Sequence, residues 1–132
     1  MKKNNKVLII AEIGVNHNGK LSIAKKLVKK AAEAGADVAK FQIFKPEKLV
    51  TQKVRKANYQ LKSSIKKNTQ FEMLKRLQLS SKDFFKISKL CKKLNIEFCL
   101  SCFDTESLKI LKKINVKRIK IPSGEITNYI LL

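Results

Sequence analysis

Two lysines stand where lysines are costly. Val38-Ala39-Lys40-Phe41-Gln42 and Ile119-Lys120-Ile121-Pro122-Ser123-Gly124-Glu125 are apolar, strand-like stretches, each with a lysine inside and polar groups at the exit. Taking an ammonium out of water is expensive unless an anion meets it. Two such lysines on separate strands suit a site that grips a small anion. Glu12, between Ala11 and Ile13, adds a carboxylate to a third apolar run. Ser101 and Asp104 follow a fourth. Lysines, hydroxyls and a carboxylate at the ends of strands can bind phosphate or carboxylate groups and stabilise developing charge.

Each residue also has a plainer reading. Glu12 could pair with a surface lysine, and Lys40 and Lys120 could carry their heads to the rim along apolar stems. Two lysines converging with a glutamate favour the anion site. Gln42 is equally an amide satisfied by its neighbours or a ligand group. Ser101 could make a local turn bond. Ser123-Gly124-Glu125 could open a helix with Ser123 as N-cap, and a helix N-terminus itself attracts phosphate. His17 sits in the turn Asn16-His17-Asn18-Gly19, where a lone histidine is more often structural or solvated than a ligand.

The elements that must position these groups alternate. Val7–Ala11 predicts a first strand. Ile23, Leu27, Val28, Ala31 and Ala32 recur at helical spacing, with Gly35 closing that helix. Asp37–Gln42 predicts a second strand. Ile43–Asn68 is a long lysine-rich excursion containing Pro46, with one helical turn expected around Tyr59 and Leu61. Thr69-Gln70-Phe71-Glu72 is a capping box for a helix to about Leu77. Another helix follows Ser80-Ser81, turns Phe84, Phe85, Ile87, Leu90, Cys91 and Leu94 inward, and closes at Asn95. Ile96–Leu100 predicts strand three. Asp104 or Thr105 caps a helix with Leu108, Ile110, Leu111 and Ile114, and Arg118–Ile121 predicts strand four. Apolar strands separated by amphipathic helices predict an α/β fold with parallel strands. Right-handed crossovers then bring the strand exits to one end, where such folds place function.

The chain has 132 residues, enough for one core. Its net charge is +20, but the arginines are only Arg55, Arg76 and Arg118. Lysines spread over helix faces support non-specific attraction and no specific nucleic-acid reading. The apolar run behind the basic start ends at Glu12, too short for a secretory signal or a membrane span. Three cysteines, Cys91, Cys99 and Cys102, fit reduced packing thiols. A cytoplasmic protein is the expectation.

The blocks Ala11-Glu12-Ile13-Gly14-Val15-Asn16-His17-Asn18-Gly19, Lys40-Phe41-Gln42 and Lys120-Ile121-Pro122-Ser123-Gly124-Glu125, in that order, resemble the sialic acid synthase family. That family includes N-acetylneuraminate synthase and the legionaminate and pseudaminate synthases. The resemblance runs from about Val7 to Leu132. It implies a (β/α)₈ barrel of the TIM type, of which residues 1–132 would supply the first four strands as a half-barrel. The C-terminal half and an antifreeze-like domain would be missing.

The activity implied is condensation of phosphoenolpyruvate with an open-chain N-acetylated amino sugar, such as N-acetylmannosamine or a diacetamido-trideoxyhexose, releasing phosphate. Lys40 and Lys120 would hold the phosphate and carboxylate, with Ser123 and Gln42 assisting and Ser101 supplying a hydroxyl. Glu12 would stand near the charge developing at C2, and Glu125 would meet the sugar or orient a lysine. Asn128 and Tyr129 match the family pattern just beyond. A divalent metal, manganese or magnesium, would polarise the aldehyde, with its histidine ligands on strands outside this chain.

The chain departs from the family in having Ser101-Cys102 where threonine-proline is common. Phe41 stands where some members have histidine. With Ala57-Asn58-Tyr59-Gln60, it leans toward the legionaminate type. A half-barrel would expose open edges and would pair with a complementing half or with itself. Rival readings are a Schiff-base aldolase using Lys40 or Lys120 and a non-catalytic basic fragment that binds polyanions.

Overall fold

Helix formation begins with a clean division of faces. In α1 (Leu21–Glu33), Ala24, Val28 and Ala31 are buried while Lys26, Lys29 and Lys30 face solvent or its margin. The helix stops at Gly35, which takes φ +79°. The Ala36 N–H donates to the Ala31 carbonyl at 3.0 Å, closing a Schellman motif. Strand β1 (Ile10–Gly14) precedes α1 and β2 (Val38–Ile43) follows it. The computed structural model describes residues 7–51 and 69–132. The turn expected at Tyr59 and Leu61, and Ala57–Gln60, lie outside the described residues.

Beyond β2 a short helix, α2 (Pro46–Leu49), starts with proline at its first turn, where a missing N–H costs nothing. No helix is expected at Pro46 from the sequence pattern alone. Helix α3 (Gln70–Leu77) opens with the Thr69/Glu72 capping box, both reciprocal bonds formed. Helix α4 (Ser81–Lys93) opens the same way through Ser80 and Asp83. It ends at Asn95, with φ +53°. Strand β3 (Glu97–Cys102) leads to α5 (Thr105–Ile114), which Asp104 caps. Strand β4 (Ile119–Lys120) and a 3₁₀ turn (Ser123–Glu125) follow.

The four strands form one sheet in the order β1-β2-β3-β4, each pair parallel. Sequential parallel strands joined by helices make an α/β half-barrel arrangement, as expected. Alternate strand residues take opposite faces. Ala39, Phe41, Ile43, Phe98, Leu100 and Cys102 join Val28, Phe84, Ile87 and Leu111 in the hydrophobic core. This is the face that α1, α4 and α5 cover. Glu12, Lys40, Gln42, Cys99 and Ser101 have the opposite parity and share the other face.

The strand limits differ from expectation where the pairing differs. β1 begins at Ile10, not Val7, because pairing with β2 begins at Ile10↔Val38, and Val7 is left 75% exposed. β3 runs on to Cys102, since Ser101 and Cys102 pair with Gln42 and Ile43. β4 shrinks to Ile119–Lys120, the two residues that pair with Leu100 and Ser101; Pro122, just beyond, has no N–H for a ladder. Phe85, Leu90 and Leu94 are only partly buried, whereas Phe84, Ile87 and Cys91 are fully inside. Exposed Leu8, Ile9 and Ile10 flank one sheet edge, and Ile119, Ile121 and Ile126 the other.

The loop after β1 is pressed against the end of α3. A Cβ built on Gly19 would stand 2.0 Å from the Arg76 carbonyl oxygen, so only glycine lets these backbones approach. Core and surface should separate sharply in mutagenesis. Ile87→Ala, at a fully buried position, is expected to lower unfolding free energy by about 2–5 kcal/mol. Tyr129→Ala, at 88% exposure, should leave the urea midpoint unchanged.

Candidate functional site

The face away from the helices carries a row of polar groups set by strand register. Glu12 pairs with Lys40 across β1 and β2, and Lys40 with Cys99 across β2 and β3. One step further along, Gln42, Ser101 and Lys120 fall in register across β2, β3 and β4. Lys40 and Lys120 therefore share a face of the sheet.

Lys40 is the centre of this row. Its side chain is only 9% exposed, and its Nζ lies 2.5 Å from Glu12 Oε2. It also donates to Ser101 Oγ at 3.2 Å. A buried ammonium is tolerated because a carboxylate and a hydroxyl replace the water it lost. An ammonium has three donors; among the described residues two are used, so one remains for an incoming acceptor. Glu12 is 57% exposed. The sequence pattern predicts it in a buried run at the end of the first strand. It is mid-strand, open on its outer side, and held by Lys40. A register shift lies between Glu12 and Gly14, where Gly14 takes φ +54°, and a Cβ there would come within 3.3 Å of Glu12 Oε1. The bulge re-aims the strand just past the carboxylate.

Lys120 is exposed, and among the described residues no ion pair holds it. The remaining predicted residues lie in the segment after β4. Ser123 does not cap a helix: Pro122 occupies the N-cap position with no side-chain cap bond, and the turn is three residues long. The proposed helix N-terminus for phosphate is therefore absent at this point. Glu125 accepts a 2.7 Å hydrogen bond from Asn128 Nδ2, and Asn128 Oδ1 accepts from the Leu131 N–H at 3.3 Å. These two residues are bound to each other, not to a lysine. Tyr129 projects into solvent.

Asp104, expected among the polar groups at the mouth, is a structural tie. Its carboxylate accepts from Ser107 N–H and Ser107 Oγ, both at 2.7 Å, and from Lys45 N–H at 2.8 Å. It caps α5 and fastens the loop after β2 to the loop after β3. The sequence reading missed Cys99 as a neighbour of Lys40. The signal was there, since residues two apart on a strand share a face and Ser101 was already singled out. Cys99 and Cys102 take opposite faces, and all three cysteines are free and buried. Burial pushes the Cys91 thiol up to about 12. It also raises Cys99, against a smaller opposing effect of the Lys40 charge.

Among the described residues no three His, Cys, Asp or Glu side chains gather to hold a metal. His17 is 1% exposed and lies 6.0 Å from the Phe41 ring, stacked on it. Its Nδ1 accepts the Gly19 N–H at 3.1 Å, while among the described residues no hydrogen-bond partner stands at Nε2. It braces the β1–α1 loop from inside, beneath the sheet face opposite to the polar row.

Burial lowers the His17 pKa from 6.5, with a smaller raising effect from the Gly14 backbone. The folded chain thus disfavours the imidazolium. The stability this contributes is fully present above the unfolded value and is lost as pH falls through and below 6.5. Between about pH 7 and pH 5, His17→Gln should lose less stability than the parent chain, read as the shift of urea midpoints. Equal losses would exclude His17 as the titrating group.

Comparisons with known proteins give the same family. The NeuB family model matches residues 27–132. N,N'-diacetyllegionaminic acid synthase of Legionella pneumophila is 53% identical over 120 residues, covering 91% of this chain and 34% of its own length. The Campylobacter jejuni enzyme of that name is 48% identical, covering 93% of this chain and 37% of its own length. The chain thus spans about a third of the length of these relatives. Among solved structures, the N-acetylneuraminic acid synthetase of Leptospira borgpetersenii, in complex with citrate, superposes with a TM-score of 0.80 at 33% identity. The match covers 97% of this chain and 40% of that one. With its four parallel strands and the ordered blocks around Glu12, Lys40 and Lys120, the chain belongs to the NeuB family of sialic acid and legionaminic acid synthases.

Proposed function

We propose that this chain carries the phosphoenolpyruvate-gripping part of a nonulosonate synthase. The reaction joins C3 of phosphoenolpyruvate to the aldehyde carbon of an N-acetylated amino sugar. Water then adds at C2, and inorganic phosphate leaves with cleavage of the C–O bond. The observation that carries this reading is Lys40, buried and held between Glu12 and Ser101 on the face it shares with Lys120. A doubly anionic enol ester needs two cations spaced across a face, and the register of β2, β3 and β4 supplies them.

In this reading Lys40 receives one anionic group with its remaining N–H, and exposed Lys120 receives the other. Gln42 and Ser101, in register with Lys120, hold the ligand between them. Glu12 stands close enough to Lys40 to stabilise positive charge developing at C2. Glu125 and Asn128 act as a bonded pair that meets the sugar, with Ser123 and Tyr129 nearby in the same segment. A manganese or magnesium ion would be held by ligands outside the described residues. The exposed apolar residues at the β1 and β4 edges would be covered by a complementing barrel half or a second copy of the chain. Lysine catalysis through a Schiff base fits less well: Lys40 Nζ is already engaged by Glu12 at 2.5 Å and by Ser101 at 3.2 Å.

The test is direct titration of the chain with phosphoenolpyruvate by calorimetry. Lys40→Met should weaken binding by about tenfold or more, the cost of one charged hydrogen bond, and Lys48→Met should have no effect. Equal affinities for the parent and Lys40→Met would refute the assignment. The 132 residues alone are expected to bind without turnover. Metal-dependent phosphate release from phosphoenolpyruvate and N-acetylmannosamine by the pure chain would show that expectation to be wrong.

A further inference from the structure

Gly14 stands inside the polar row, at the irregular point of β1. Glu12 pairs with Lys40 and Gly14 with Phe41, so β1 advances two residues where β2 advances one. Ile13, the extra residue, is buried in the hydrophobic core. Its carbonyl accepts the Asn16 N–H at 3.0 Å as the loop begins. Gly14 is buried as well and takes φ +54°. A bulge of this kind bends its strand and changes where the neighbouring side chains are aimed.

The Glu12 carboxylate lies against the bare backbone of Gly14. A Cβ added at Gly14 would stand 3.3 Å from Glu12 Oε1 and 3.8 Å from Gln42 Nε2. Residues two apart in a regular strand are separated by about 7 Å, yet here the carboxylate leans along β1 over a position that has no side chain. Its two oxygens are placed differently. Oε2 lies 2.5 Å from Lys40 Nζ, while Oε1 takes the room that a side chain at position 14 would claim. A carboxylate is planar and rigid. Oε1 can retreat only if the whole group turns or withdraws, and Oε2 then leaves the ammonium.

Two demands therefore fall on this position. Positive φ is met by glycine and, at small cost, by asparagine. Room for Oε1 is met by glycine alone. Gly35 gives the contrast: its φ is +79°, and an added Cβ would meet nothing within 4 Å. There the backbone angle is the whole requirement. At Gly14 the requirement extends to the carboxylate. Lys40 is buried with Glu12 and Ser101 as its partners, so displacing Glu12 removes the charge that offsets the burial of the ammonium.

We infer that Gly14 is a positioning residue for the anion site: the bare backbone at the bulge keeps open the place from which Glu12 reaches Lys40. It touches no substrate and acts through that ion pair. This role rests on the reading of Lys40 under Proposed function and adds to it the residue that sets the lysine's carboxylate.

The experiment compares Gly14→Ala and Gly14→Asn in the full chain, each alone and combined with Glu12→Ala. With isotope-labelled lysine, the Lys40 ammonium signal is identified by its loss in Lys40→Met, and its contacts to the Glu12 side chain are read as nuclear Overhauser effects. The parent chain should show these contacts. Both Gly14 variants should lose them, although asparagine accepts the backbone angle. In phosphoenolpyruvate titrations, Gly14→Ala should change affinity in the same direction as Glu12→Ala and to within about twofold of it, and should add less than about twofold in the Glu12→Ala background, because both substitutions remove one interaction. A glycine needed only for the fold would give independent, multiplying effects. Contacts retained in either Gly14 variant, no contacts in the parent, or independent effects on affinity would overturn the assignment. Where a Gly14 variant alone does not fold, the same substitution on Glu12→Ala should fold, since the crowded carboxylate is gone; failure there as well would overturn it. A parent chain that does not bind phosphoenolpyruvate would overturn the anion site and leave the ammonium contacts to decide the role of Gly14.

Discussion

A single ammonium inside a sheet sets the terms for the rest of this protein. Lys40 is buried in the second strand, and its charge is tolerable only because Glu12 from β1 and Ser101 from β3 converge on it. That requirement ties three strands to one register. A slip of one residue would turn Lys40 into the hydrocarbon layer beneath α1 and α4, and Phe41 out of it. The polar face and the apolar face are thus specified together, by the same alternation.

The loops at the strand ends are fastened by separate devices. Asp104 joins the turn after β2 to the start of α5 through three hydrogen bonds. His17 fills the underside of the β1–α1 loop against Phe41, and Gly19 lets that loop meet the backbone at the end of α3. None of these groups reaches the polar row, yet they fix the loops around it. The mouth can remain open and hydrated because the ties that shape it lie behind it, where burial strengthens each hydrogen bond.

Much of this was legible in the sequence because it depends on local chemistry. The Thr69-x-x-Glu72 box, the stop at Gly35 and Asn95, and the helical spacing of Phe84, Ile87 and Cys91 each act within a few residues. Strand lengths were less legible, because a strand extends only as far as its neighbour pairs with it. Val7 to Ile9 are as apolar as Ile10, but the ladder to β2 starts at Ile10↔Val38. The cap expected at Asp104 formed and the one expected at Ser123 did not: a polar residue after a strand can serve a ligand or a backbone, and only the partners decide. Asp104 found backbone amides, and Ser123 found no helix to cap.

By itself the sequence determined the alternating α/β order, the two apolar faces and the identity of the charged groups at the strand exits. Those follow from periodicity and from the energetic oddity of lysine among aliphatic residues. Only the tertiary structure decided that Lys40, not Lys120, is the buried partner of Glu12, that Cys99 lies beside it, and that Phe44 meets Phe103 edge to face. These depend on register and loop approach between segments dozens of residues apart. Distance in the chain carries no information about such contacts until hydrogen bonding across the sheet fixes which residue stands beside which.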